Sequence, residues 1–114
     1  MNLNEIVQKL NLKILNRGSG IYQDVKGGYV GDLLSDVIAS SKSGDIWVTI
    51  QVHENIVAVA SLKNLAGIIL AKNRSPLNET LENARNEDIT LLQTELNSFQ
   101  IVQKLKELGI SGNR

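Results

Sequence analysis

The sequence predicts an α/β domain in three layers, α/β/α, with a mainly parallel sheet of four or five strands between helices. Two observations carry this. The runs Ile46–Ile50, Leu65–Leu70 and Ile89–Leu92 are continuously apolar rather than alternating, the pattern of strands covered on both faces. Between them lie stretches of helical periodicity, long enough for the crossovers that parallel neighbours require. A chain of 114 residues buries enough surface for one core without metal or disulfide staples. Residues 1–110 are assigned to that single domain, and 111–114 to a loose tail.

Taken in order, Leu3, Ile6, Val7 and Leu10 recur at helical spacing, and Asn2 with Glu5 forms a capping box. Leu12 to Leu15 is a short strand closed by Asn16-Arg17-Gly18. Five of the nine glycines lie between Gly18 and Gly31, a density that marks turns or close backbone approach. Two short strands, Tyr22 to Val25 and Tyr29-Val30, are expected there about a Gly27-Gly28 turn. Asp32 as N-cap opens a helix carrying Leu33, Leu34, Val37 and Ile38. Ile46–Ile50 is a β-branched and aromatic strand. Asn55 to Asn64 is a helix, and Leu65–Leu70 the next strand. After the loop Asn73-Arg74-Ser75-Pro76, proline behind a serine cap opens a helix with Leu77, Leu81 and Ala84 on one side. Ile89–Leu92 is a third strand. Asn97 or Ser98 caps a last helix, with Ile101, Val102, Leu105 and Leu108 inward and Gly109 as its stop.

Composition removes several function classes. Twelve basic and twelve acidic residues cancel, which removes the long-range pull of a nucleic-acid binder. Tyr22, Tyr29, Trp47 and Phe99 are too scattered for a base-stacking platform. The absence of cysteine excludes disulfides, thiolate metal sites and Cys nucleophiles. No apolar run nears the ~20 residues of a membrane span. Met1 to Glu5 lacks the basic start of a secretion signal. The expectation is a cytoplasmic protein with neither nucleic acid nor membrane as partner.

The stretch Gly28-Tyr29-Val30-Gly31-Asp32-Leu33-Leu34-Ser35-Asp36-Val37, followed by Val48-Thr49-Ile50-Gln51-Val52-His53-Glu54-Asn55-Ile56-Val57-Ala58-Val59-Ala60, resembles small free-standing members of the DRTGG-domain family. The resemblance runs over roughly residues 3–110 of the chain. That family is similar to the N-terminal domain of HPr kinase/phosphorylase and occurs between CBS modules in regulatory proteins. The resemblance implies an HPr kinase N-terminal-domain-like α/β/α fold, a tendency to dimerise and a regulatory or accessory role without known catalysis. The family's Asp-Arg pair falls here on Gln51 and Val52, its Thr-Gly-Gly on Ala71-Lys72-Asn73, and only Phe99 is kept of its Tyr-Asp-Thr-Phe.

Ligands of parallel α/β sheets sit beyond the carboxyl ends of the strands. Three polar loops follow strand ends here: Gln51 to Asn55, Lys72 to Ser75, and Gln93 to Glu95. The glycine-rich turn before Asp32 would join them. Converged, they form an anion or nucleotide cradle from Gly28, Gly31, Asp32, Thr49, Gln51, His53, Asn55, Arg74 and Thr94. Arg74 would serve as the two-pronged phosphate partner. The alternative is that strand-end loops are polar because water reaches them. The glycine cluster is neither a Walker A loop nor a dinucleotide fingerprint.

His53 is the only histidine, and without cysteine it assembles no zinc site, so no metal and no cofactor is expected. As an acid or base it needs Asp32 or Glu95 beside it, which only folding supplies. Asp32 and Asp36 share a helix face and read as cap and solvated surface. The helix from Asn55 is apolar around almost its whole circumference: Ile56, Val57, Ala58, Val59, Ala60. Its outer side is covered either by other helices of the chain or by the same helix of a second copy. The second choice makes a homodimer through Ile56, Val57, Val59 and Ala60.

The function expected is therefore a non-enzymatic regulatory or accessory module. It homodimerises and binds a small anionic ligand, nucleotide or phosphorylated metabolite, or a signalling protein. A small enzyme built on His53 and a pure scaffold of a redox or phosphotransfer assembly are the alternatives.

Overall fold

The computed structural model describes residues 1–112. Its elements are α1 (Leu3–Leu10), β1 (Lys13–Asn16), β2 (Gly27–Val30), α2 (Leu34–Ser40), β3 (Asp45–Thr49), α3 (Asn55–Lys63), β4 (Gly67–Leu70), α4 (Asn78–Asn86), β5 (Leu91–Gln93) and α5 (Ser98–Glu107), with a 3-10 turn over Ser19–Tyr22. The five strands form one sheet in the order β1-β5-β4-β3-β2. The pairs β2–β3, β3–β4 and β4–β5 are parallel, and β1 joins β5 antiparallel. In the central register Trp47 stands between Tyr29 and Ile68.

Side chains alternate across the pleat, so each strand feeds both faces. Ile46, Val48, Ile69 and Leu92 pack with α1, α5 and the 3-10 turn. Trp47, Ile68, Leu70 and Leu91 pack with α2, α3 and α4. Helices thus cover both faces, and the three-layer architecture of a mainly parallel sheet is the one the apolar runs predict. The first helix opens on the expected capping box, Asn2 with Glu5, and the last on Asn97 with Gln100. Gly109, at φ +91°, ends the chain's helical part.

Four local expectations are corrected. Gly27 and Gly28 lie inside β2 rather than in a turn, and in place of the strand expected over Tyr22 to Val25 the 3-10 turn ends at Tyr22 and Asp24 makes an isolated bridge to Asn2. Asp32 does not cap α2. Leu33 occupies that position without a side-chain bond, and the Asp32 carboxylate is held by β3 instead. Ser75 and Pro76 precede α4 without capping it, because Leu77 is the cap residue.

The fourth concerns α3. Ile56, Val57, Val59 and Ala60 are all buried within the chain itself. As the middle helix of three on its face, α3 packs on the sheet with α2 on one flank and α4 on the other. Those four side chains therefore have no surface to offer a second copy, and the residues α3 exposes are Asn55, Ala58, Ser61 and Leu62. Of the expected tail, Ser111 accepts the Gly28 amide at 3.1 Å. Residues 113 and 114 lie outside the described residues.

Candidate functional site

The helices that connect the parallel strands, α2, α3 and α4, all lie on one face. Helix α5, which leaves β5, crosses to the other. The chain therefore changes face at the carboxyl ends of β4 and β5, where an open sheet leaves a crevice. A cleft of about 360 Å³ opens there, lined by Leu10, Asn11, Lys13, Asn73, Gln93, Thr94, Glu95 and Leu96.

Backbone contacts lock the two loops of this crevice together. Lys72 and Asn73 take left-handed conformations, φ +57° and +53°. That turn aims their amides across the crevice, Lys72 to the Leu96 carbonyl at 2.8 Å and Asn73 to the Thr94 carbonyl at 2.7 Å. The Gln93 amide group donates to the Arg74 carbonyl at 2.9 Å. The Thr94 hydroxyl accepts the Leu96 amide at 3.2 Å. Lys72 and Asn73 are the positions matched to the two glycines of the family motif, and the backbone there has the shape glycine favours. Lys13, Lys72 and Arg74 are exposed on these elements, so cations stand in and beside the cleft.

A second network closes the carboxyl ends of β2 and β3. The Asp32 carboxylate accepts the Thr49 hydroxyl at 2.8 Å and the Ile50 amide at 2.9 Å. The Gln51 side chain donates to the Asp32 carbonyl at 3.0 Å, and the Trp47 indole donates to the Gly31 carbonyl at 2.9 Å. The third loop is tied to α4: Val52 accepts the Thr80 hydroxyl at 2.6 Å, and Asn83 donates to the Glu54 carboxylate at 3.0 Å.

The nine expected residues are therefore spread over four places. Arg74 and Thr94 stand on the crevice loops. Gly31, Asp32, Thr49 and Gln51 belong to the β2–β3 network. His53 accepts the Asn55 amide at 3.3 Å at the start of α3. Gly28 lines a separate groove beside α5. Among the described residues no hydrogen bond or ion pair joins His53 to Asp32 or to Glu95, the contact an acid–base role requires. None of them holds a cluster of three or more His, Asp or Glu able to take a metal.

Two ionisable groups among the described residues are shifted. The Tyr29 hydroxyl donates to Asp36, and this bond, with some burial, raises the tyrosine above its ordinary value. Asp88 is lowered by the Ser19 hydroxyl and then by the Ser19 amide. Sequence reasoning placed Gln93 on a strand-end loop of the crevice but missed Lys13. They meet because β1 pairs antiparallel with β5, Lys13 opposite Gln93. A pairing across some eighty intervening positions leaves no mark in the local pattern.

Fold and crevice together define an α/β domain with a mainly parallel sheet, its cleft lying where the chain changes face after β4 and β5. The DRTGG-domain model matches residues 5–108, and the chain belongs to the DRTGG-domain family. No curated protein matches it. Among solved structures it is similar to the CBS and DRTGG domains of the regulatory region of Clostridium perfringens pyrophosphatase, complexed with the activator diadenosine tetraphosphate. The TM-score is 0.73 at 19% identity, over 90% of this chain and 44% of that one. The chain thus spans less than half the length of that structure, and the likeness is one of fold. Among the described residues no helix is long and apolar enough to cross a membrane.

Proposed function

We propose that this chain is a non-catalytic regulatory module that binds a small anion, a nucleotide or phosphorylated metabolite, in the β4–β5 crevice. The observation that carries the reading is the cleft itself. It sits where the connecting helices change face, takes Lys13, Asn73 and Thr94 into its wall, and has Lys72 and Arg74 on the adjoining loop. Its two loops are already locked to each other, so a ligand meets formed geometry and little ordering opposes binding. The pyrophosphatase regulatory region, complexed with a nucleotide activator, supports the same reading by analogy of fold. The module acts as a homodimer in this reading, on a surface other than the buried face of α3.

The test is a thermal-shift panel of mononucleotides, diadenosine tetraphosphate and phosphorylated sugars. A ligand at a hundredfold excess over its dissociation constant stabilises the fold by about 2.7 kcal/mol. Lys13→Ala and Arg74→Ala should each reduce that response. Silence from every anion refutes the ligand; a monomer by sedimentation at high micromolar concentration refutes the dimer.

A further inference from the structure

At the opposite edge of the sheet from β1, a groove of about 200 Å³ opens between β2 and α5. Its wall is carbon almost throughout, from Val30, Val48, Val102, Leu105 and Ile110. The opening has a physical cause. Helix α5 packs on β3, so the outermost strand is only partly roofed. Gly28 sits on the underside of that gap without a side chain, and a Cβ there would already be 3.4 Å from Ile110. Glycine inside a strand marks a place where another group approaches closely. Val30, two residues on and on the same face, is left 47% exposed.

One cation of the described residues stands on the lining. Lys106 has no acidic partner among the described residues, whereas its neighbour Lys104 pairs with Glu107 at 3.9 Å. The far wall is closed by the chain's own Ser111 and Gly112, where Ser111 accepts the Gly28 amide. Among the described residues no arginine stands on the lining, so a phosphate would find a single point charge there. A dry apolar cavity of roughly 150 Å³ takes benzene. This groove holds a slightly larger group.

We propose that the β2–α5 groove binds a small amphiphilic carboxylate, an aryl or short acyl group lying in the groove with its carboxylate on Lys106. The site is independent of the β4–β5 crevice in position and in chemistry.

The experiment is an amide chemical-shift titration of the full chain with hexanoate, with phenylacetate and with uncharged 1-hexanol. Both acids should move the amides of Gly28, Val30 and Val102, and leave those of Asn73 and Thr94 in place. Hexanol should bind more weakly than hexanoate. Lys106→Gln should weaken the acids about two- to fivefold, the worth of an exposed ion pair, and abolish the preference over hexanol. Val102→Phe, which fills the groove from the helix side, should remove the shifts while the melting curve stays cooperative. Arg74→Ala should leave the titration unchanged, so failure at the crevice and failure here are seen separately. No shifts with either acid at millimolar concentration overturn the proposal, as does unaltered binding in a folded Val102→Phe variant. So does a concentration-dependent dimer that Phe99→Ser dissociates, since Phe99 is exposed on α5 beside Val102 and Lys106 and a second copy would then be the occupant of this face.

Discussion

Asp32 and Thr49 hold the ends of two neighbouring strands together: the carboxylate accepts the buried threonine hydroxyl at 2.8 Å. The same oxygen takes the Ile50 amide, and the hydroxyl in turn accepts the Gln51 amide at 3.2 Å. Removing the carboxylate leaves a donor without its partner at a fully buried position. Asp32→Ala should cost about 1–2 kcal/mol, at the lower part of the range for a lost charged acceptor because Asp32 itself is exposed. In a Thr49→Val background the cost should shrink by ~1 kcal/mol. Urea unfolding, followed through the single tryptophan Trp47, measures the cycle. Strict additivity would show that the clamp contributes nothing.

The crevice loop carries strain that can be removed. A residue with a Cβ loses ~1–2 kcal/mol in the left-handed region, asparagine less than lysine. Glycine at that point gains back this amount, less ~0.4–1 kcal/mol for the freer unfolded chain. Lys72→Gly should therefore stabilise by about 0.5–1 kcal/mol, and Lys72→Val should destabilise by more than that. Paired melting curves give the sign directly.

Gly18 has the reverse problem. A Cβ added there would stand 2.8 Å from the Asp88 carbonyl and 2.8 Å from the Thr90 hydroxyl. That hydroxyl accepts the Gly18 amide at 3.0 Å, so the clash also threatens a buried hydrogen bond. Gly18→Ala should destabilise by about 2–3 kcal/mol. Gly20→Ala, with nothing nearer than 3.5 Å, is the matched control and should stay near neutral.

Asp88 and Tyr29 shape the two ends of the pH profile. Asp88 is depressed in the fold by Ser19, so the folded state gives up its proton more readily than the unfolded chain. Its contribution is complete above the ordinary carboxylate pKa and is lost as pH falls through the lower folded value. Tyr29 is raised by its bond to Asp36, so the folded state keeps that proton longer. Its contribution is complete below the ordinary tyrosine pKa and is lost as pH climbs through the folded value. Ser19→Ala should flatten the acid limb of the stability curve and Tyr29→Phe the alkaline limb, each leaving the other limb in place.

What was legible in the sequence is what local pattern encodes. The apolar runs at Ile46, Ile68 and Leu91 are strands because a covered parallel strand has no polar face, and Asn2–Glu5 is a cap because its partners are three residues apart. Asp32 misled for the opposite reason. An aspartate ahead of a helix looks like its cap, yet the stronger partner, Thr49, arrives from a strand seventeen positions away. The apolar girth of α3 was real, but a lone-helix argument assumes one covered face. A helix flanked by two others on a sheet is covered on three sides. Arg74 and Thr94 were placed at the site by the strand-end rule. Lys13 was not, since only the antiparallel docking of β1 brings it there.

The seating of Gly18 and Ser19 against Thr90 and Asp88 joins groups 72 and 69 positions apart. On a chain made from its amino end, α1 and β1 therefore wait for most of the remaining sequence before their partner strand exists. During that wait β4 is an open apolar edge, the kind of template on which chains associate wrongly. Closure of such distant pairings is also slow. Slowing translation beyond β4 should therefore lower the soluble yield more than slowing it before β3.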